Sequence, residues 1–321
     1  MLPGVTSYTA KLTAEQADAL GRILDDGTFE SREVPYARFS GAKKDLNVTF
    51  YESGKLVVQG KGTREFVEFV LEPQVLGAAK VGYEDVLNPE LLFPRLGVDE
   101  SGKGDFFGPL CIAGVYVNAD ILAAWKDQGI RDSKNISSDV QVGRLADLIR
   151  NTRGCVTSVV AVGCEAYNRM HQSNGSVNRI LAWGHARVIE NLMEQRDRMV
   201  PAPVRAISDQ FARDESTVAR ALMKLGRTIE LVQRHRAEED AAVAAASILA
   251  RDEFVRRLRD LEKQFGVKLP KGASAAVEAA GREFVSRHGP EALPKVAKMH
   301  FRTSFRVLGL PEPPKTEWRR E

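Results

Sequence analysis

Residues 97–109, GVDESGKGDFFGP, sit between two apolar runs, Leu96–Val98 and Leu110–Val117, and no other feature constrains the fold as tightly. Each run reads as a strand, and the glycines between them mark a turn. Asp99 and Glu100 close the first strand just before that turn, where folds commonly present chemistry. Two adjacent carboxylates at a strand end repel each other unless a cation or a proton neutralises them. A divalent metal is the usual answer, and hard ions such as Mg²⁺ prefer oxygen ligands. Gly102 and Gly104 remove side chains, so backbone N–H groups can approach a sugar or a phosphate closely.

The same stretch nearly spells a phosphate-binding loop, because Gly97, Gly102 and Lys103 match GxxxxGK. The position that should carry Ser or Thr is Gly104, so the hydroxyl that would ligate Mg²⁺ is missing. Asp99 and Glu100 would also lie inside a loop meant to cradle anions. A nucleotide triphosphatase is therefore set aside.

Length and composition bound the rest. At 321 residues the chain suits a small domain and a larger one. With 43% hydrophobic and 28% charged residues it reads as soluble and globular, with enough apolar side chains for a core. Apolar stretches such as Ala241–Ala250 fall well short of the ~20 residues that span a bilayer. The opening MLPGVTSYTA has neither the basic nor the apolar region of an export signal, so a cytoplasmic protein without a membrane partner is expected. Cys111, Cys155 and Cys164 are sparse and lack paired metal-ligand spacing, which suits a reducing compartment and buried thiols. Net charge is only +3; residues 1–85 hold 10 Lys and Arg against 13 Asp and Glu, and residues 86–321 hold 36 against 30. Binding to a polyanion must then rest on local patches.

Along the chain, a short strand near Tyr8–Leu12 precedes a capping box, Thr13 with Gln16, and a helix to Asp26 that stops at Gly27. Strands near Tyr36–Ser40 and Asn47–Tyr51 follow, then a Ser53–Gly54 turn into Lys55–Gln59. A second helix after Thr63 buries Phe66, Val67, Val70 and Leu71 and is expected to end at Pro73. This is a β-α-β-β-β-α order, with both helices on one face. Residues 77–94 read as a linker. The larger segment begins with the two strands above and adds helices near Ile121–Gln128 and after Ser138, then a strand at Cys155–Val162. Helices run to about Met193, the longest starting past Ser176. A strand at Val204–Ser208, a helix from Ser216 to Leu225, a strand at Thr228–Val232 and a long helix from about Glu239 to Phe265 complete it. Three early strands joined by short links, followed by alternation, give β-β-β-α-β-α-β. The proline- and charge-rich end, residues 309–321, is expected to fray.

Further acidic residues fall where this order puts strand ends. Asp209 follows the apolar strand Val204–Ile207, although it also suits the start of a helical turn. Glu238, Glu239 and Asp240 stand at the start of the long helix, where they also simply complement its dipole. All lie at one edge of a single sheet, which argues for a shared site. At 100° per residue the three acids point in different directions, so only one can join Asp99 and Asp209. The small Ala241, Ala245 and Ser247 let the helix approach the sheet, which favours Glu238 over Asp240. His185, beside Trp183 in an apolar helix, reads as structural, and spacing alone assigns His300 no role.

Several of these stretches resemble one family. VDESGKGDFFGPL is similar to the first motif of ribonucleases HIII, where the related ribonucleases HII usually carry Arg between the glycines. RDSKNIS at 131–137, NRILAWGHARVIENL at 178–192, SDQFA at 208–212 and HRAEEDAAVAAASILARDEF at 235–254 follow in the same order. LPKGAS at 269–274 and AKMHFRTSF at 297–305 complete the set. FYESGKLVVQGKG at 50–62 resembles part of the TATA-binding-protein-like domain that precedes the catalytic domain in this family.

The resemblance implies an α/β fold, a ribonuclease-H-like mixed sheet flanked by helices, preceded by a small α+β domain. The implied layout is a substrate-binding domain at 1–80, a linker at 81–94, a catalytic domain at 95–308 and a flexible tail at 309–321. It implies a monomeric hydrolase that cuts the RNA strand of RNA/DNA hybrids with two Mg²⁺ or Mn²⁺ ions. Those ions would sit on Asp99, Glu100, Asp209 and Glu238, leaving 5′-phosphate and 3′-hydroxyl ends. Gly102, Lys103 and Gly104 would read the hybrid through the ribose 2′-OH. Ser133 and Lys134 would hold a phosphate, with Asn174, Asn178, Lys55 and Lys61 as further contacts. The alternatives are ribonuclease HII-like cleavage at single ribonucleotides in DNA and a non-catalytic hybrid-binding protein.

Overall fold

Alternating apolar and polar residues between Ala37 and Gln59 give each strand one face to bury, and the small N-terminal sheet is built on that alternation. The computed structural model describes residues 6–26, 29–77, 92–126, 128–130, 133, 136–209, 216–234 and 237–312. They fall into two units, Met1–Leu92 and Phe93–Glu321.

The first unit runs β1 (Ser7–Lys11), α1 (Ala14–Asp26), β2 (Glu30–Ser31), β3 (Ala37–Lys43), β4 (Leu46–Tyr51), β5 (Lys55–Gln59) and α2 (Thr63–Phe66). Its sheet has the order β1-β5-β4-β3-β2, antiparallel throughout. The capping box closes reciprocally: the Thr13 N–H donates to Gln16 Oε1 at 3.0 Å, and the Gln16 N–H to Thr13 Oγ1 at 3.3 Å. Leu20 and Leu24 of α1 meet Val48, Leu56 and Val58 of the sheet and Phe66 and Leu71 beyond it in one core. Pro73 does not end the second helix. The chain continues from α2 as a π-helix, Val67–Leu76, and stops at Gly77. In a π-turn the N–H reaches back five residues, and this wider turn relieves the clash between the proline ring and the carbonyl four residues back.

The second unit opens with β6 (Arg95–Ser101) and β7 (Leu110–Val117), followed by α3 (Ala119–Trp125), α4 (Asp139–Asn151) and β8 (Thr157–Val162). The third strand is therefore not joined to the second by a short link, because two helices intervene. Next come α5 (Cys164–Asn174), α6 (Val177–Met193), β9 (Arg205–Asp209), α7 (Ser216–Ala221), β10 (Glu230–Arg234) and α8 (Ala241–Phe265). The unit closes with α9 (Ala275–His288) and α10 (Arg302–Leu308). Helix α7 stops short of the expected Leu225 because the Glu190 carboxylate takes the N–H groups of Leu225 and Gly226 at 3.0 and 2.7 Å.

The sheet order is β10-β9-β6-β7-β8, with β6 antiparallel to β7 and parallel to β9. Register does the positioning. Val98 pairs with Ser208, so Asp99 and Asp209 come next on adjoining strands at the same sheet edge. Strand residues alternate faces, which sends Asp99 to the face of Gly97 and Glu100 to the face of Val98. Helix α8 lies on the first face. A Cβ at Gly97 would collide with the backbone of Ala242 and Val243, so only glycine admits the helix this closely. Helix α6 lies on the second face, where Gly184 meets Ile112, the residue paired with Glu100.

Candidate active site

Asp99, Glu100 and Asp209 line one cavity of about 700 Å³, together with Gly102, Lys103, Gly104 and Ser133. Glu100 Oε2 lies 3.0 Å from Nε2 of the fully buried His185, and Glu100 Oε1 lies 3.8 Å from the Lys103 ammonium. From sequence, His185 reads as a structural residue of an apolar helix. It does sit in that helix, but face alternation on β6 aims Glu100 at it.

The two glycines of the turn differ. Gly102 has φ +93°, and a Cβ there would strike the Pro109 carbonyl and the Phe254 ring, so the fold itself requires glycine. Around Gly104 a Cβ would meet nothing within 4 Å. The fold does not demand glycine at this position, and the space faces the cavity.

Two later segments tie the turn down. Asp105 Oδ1 accepts from the Gly272 N–H at 2.6 Å, and the Phe106 N–H donates to the Gly272 carbonyl at 2.9 Å. The Gly108 N–H donates to Val296 O, and the Lys298 ammonium, fully buried, donates to Asp105 O at 2.8 Å and Gly108 O at 2.6 Å. Burial, more than any neighbouring charge, pushes the Lys298 ammonium down to about 8.

The acidic triplet separates by role. Asp240 is buried and caps α8 by accepting from the Ala242 N–H at 2.9 Å. It also takes both of its carboxylate oxygens to the Arg95 guanidinium, at 2.9 and 3.1 Å, and one to Arg234 at 3.4 Å. Glu238 and Glu239 lie in the 3₁₀ turn Ala237–Glu239 just before the helix, Glu238 half-buried and Glu239 exposed. Glu238 is not among the residues lining the cavity. Among the described residues no three His, Cys, Asp or Glu side chains converge as a ready-made metal cage. The donor set at the strand ends is nonetheless all carboxylate oxygen, which suits a hard divalent ion.

The remaining expected contacts scatter. Ser133 is buried and shares a 2.8 Å hydrogen bond with Ser247 on α8. Lys134, most of the linker and most of the tail lie outside the described residues, as does the side chain of Asn174 at the end of α5. Asn178 is exposed in the first turn of α6. Lys55 and Lys61 are exposed in the N-terminal unit, where Lys61 joins Arg32, Lys43 and Lys44 around a separate cavity of about 570 Å³. His300 stacks on His171 at 4.7 Å, and burial, then His171 and Lys298, push it down to about 4, so it stays neutral. Burial likewise pushes the thiols of Cys111 and Cys155 up to about 12 and that of Cys164 up to about 11, which leaves them inert.

With the geometry in place, similarity to known proteins becomes informative. Residues 96–304 match the family model described as Ribonuclease HII, and residues 10–79 match one described as a domain of unknown function. Ribonuclease HIII of Chlamydia pneumoniae is 45% identical over 300 residues, covering 92% of this chain and 96% of the relative. The chain belongs to the ribonuclease HIII family. Ribonuclease HIII of Protochlamydia amoebophila (strain UWE25) is 43% identical over 307 residues, covering 96% and 97%. Among solved structures, Bst-RNase HIII in complex with Mn²⁺ superposes with a TM-score of 0.63 at 28% identity, over 95% of this chain and 98% of that one. The family read from the spaced motifs is the family matched, and the ribonuclease-H-like sheet comes with it.

Proposed function

We propose that this ribonuclease HIII family member is a metal-dependent endonuclease that cuts the RNA strand of RNA/DNA hybrids, leaving 5′-phosphate and 3′-hydroxyl ends. The observation that carries the reading is the register of β6 against β9, which sets Asp99, Glu100 and Asp209 around one cavity beside the glycine turn. Asp99, Glu100 and Asp209, with Glu238 from the turn before α8, are the residues to hold divalent ions, Mg²⁺ or Mn²⁺. Such ions, when bound, supply an activated water and neutralise charge on the phosphate. His185 fixes the direction in which Glu100 presents its carboxylate. The open backbone at Gly104 gives room for a ribose 2′-OH against the turn, the group that separates RNA from DNA. Contacts to sugar and phosphate carry no sequence information, so cleavage should be nearly indifferent to sequence.

The basic cavity of the N-terminal unit, with Lys43, Lys44 and Lys61, supports a role in holding the duplex. The three thiols are free, which suits the reducing compartment expected from the sequence, and no helix among the described residues is long and apolar enough to cross a membrane. The deciding experiment is cleavage of end-labelled hybrid, double-stranded RNA and double-stranded DNA with and without Mg²⁺. Cutting of the hybrid alone, and only with metal, is expected; equal cutting of all three would sink the assignment. A duplex with one ribonucleotide in DNA, added as a fourth substrate, separates this activity from a ribonuclease HII-like one.

A further inference from the structure

Three cations line the catalytic cavity, Lys103, Arg251 and Lys271, and their surroundings differ. Lys103 lies beside Glu100. Arg251, on α8 and with only 18% of its side chain exposed, donates to the carbonyls of Ser133 and Ile136 and reaches Asp139 Oδ1 at 2.7 Å. It is a structural brace for the segment that carries Ser133. Lys271 has 45% of its side chain exposed, and its ammonium pairs with Asp139 at 2.8 and 3.1 Å. Burial raises the Asp139 carboxyl, but Lys271 and then Arg251 overcome this and hold it below the usual carboxylate range.

One carboxylate thus serves two cations. Arg251 alone is enough to neutralise Asp139, so Lys271 can leave without stranding a partly buried charge, and the trio keeps one net positive charge beside the acids. The backbone under Lys271 does not move with it, because Gly272 is tied on both sides to the glycine turn through Asp105 and Phe106. A long flexible ammonium on a fixed base, facing a cavity built for a polyanion, suits a phosphate contact.

We propose that Lys271 is a substrate-binding residue that exchanges Asp139 for a backbone phosphate of the bound duplex. This rests on the hybrid-binding reading above. Each protein–phosphate contact adds about 0.7 to 0.9 to the slope of log K against log salt. Hybrid affinity of the full-length protein should be followed by fluorescence anisotropy between 50 and 200 mM KCl, roughly the range over which such contacts are lost. Lys271→Met should weaken binding and flatten that slope by about 0.7 to 0.9, while kcat at saturating hybrid and the melting temperature stay near wild type. Lys271→Arg should keep the slope. Lys268→Met, which removes an exposed lysine on the same segment that pairs with Glu262 at 3.6 Å, should leave it unchanged. A Lys271→Met protein with wild-type slope and affinity would overturn the proposal, as would one whose only change is a lower melting temperature. Wild-type protein that bound no hybrid would overturn the functional reading itself, and this inference with it.

Discussion

Two cavities of the molecule are built on opposite plans. The N-terminal one is rimmed by Arg32, Lys43, Lys44 and Lys61 against Glu30 and Asp45, on strand ends and turns, groups placed by backbone register and open to solvent. The candidate active-site cavity gathers carboxylates at the ends of adjoining strands, beside a turn tied to residues 272, 296 and 298 far along the chain. Loose cations suffice where the task is attraction to a polyanion, since that force is long-ranged and tolerant of geometry. Holding ions and a scissile phosphate needs side chains fixed within a fraction of an ångström, and the long-range ties provide that. Chemistry should therefore fail when the strand-end carboxylates are touched, and affinity when the cations that meet the duplex are.

The contrast is tested most severely at the strand-end acids. Asp99→Asn, Glu100→Gln and Asp209→Asn should each lower kcat by about a thousandfold or more, the upper range for deleting one electrostatic stabiliser of a reacting centre. Melting temperatures should change little, because each substitution keeps the shape of the side chain. Any of the three that kept near-wild-type kcat in Mg²⁺ would lose its place in the site.

Within the acidic triplet the division is between chemistry and support. Glu238→Gln should abolish most cleavage and leave stability intact, and the loss should shrink when Mn²⁺ replaces Mg²⁺. Asp240→Asn should instead cost about 3 kcal/mol of stability, the low end for breaking a buried ion pair, because Asn still caps α8. Urea unfolding and single-turnover cleavage of both variants, side by side, separate the roles. Loss of cleavage in Asp240→Asn with unchanged stability would reverse the assignment.

What sequence could reveal follows the same divide. Strand ends and adjacent acids are local patterns, so the meeting of Asp99, Glu100 and Asp209 at one sheet edge is legible, as is the Thr13–Gln16 box. The partners that fix them are not. Arg95 precedes an apolar run, and nothing local names its partner, Asp240, which α8 brings to it across 145 positions. Lys298 and Lys271 sit in stretches that match the family, yet nothing local says that one is buried under the glycine turn and the other faces the cavity. His185 looks merely structural because its helix is apolar, and its contact with Glu100 depends on which face of β6 that helix covers. The π-helix through Pro73 escapes for a different reason, since residue preferences describe α-turns and not wider ones.

The basic cavity predicts a smaller effect. Removing residues 1–80 should weaken hybrid binding about a hundredfold, the low end of the gain from linking two binding modules, with single-turnover cleavage at saturating hybrid close to wild type. Lys43→Ala with Lys44→Ala in the intact chain should reproduce part of that loss. A truncated protein with unchanged KM at several salt concentrations would assign this unit some other purpose.

The smallest expected effect concerns the support beneath the glycine turn. Lys298 is buried, and its ammonium titrates near 8 in the folded protein against an ordinary value of 10.5. The unfolded chain therefore binds the proton more tightly than the folded one. By linkage, this group penalises folding fully at pH below about 8, and the penalty fades as pH rises from 8 to 10.5. Wild type should accordingly gain about 2 kcal/mol relative to Lys298→Met between pH 7.5 and 10, because each pH step of one between the two titration points contributes roughly 1.4 kcal/mol. Groups shared by both proteins cancel in that difference, so urea unfolding at the two pH values isolates the lysine. The turn it supports should suffer differently: Lys298→Met leaves two buried carbonyls, Asp105 and Gly108, without their donor, and KM should rise at every pH. A stability difference that stayed flat from pH 7.5 to 10 would mean that Lys298 is not the strained ammonium its burial implies.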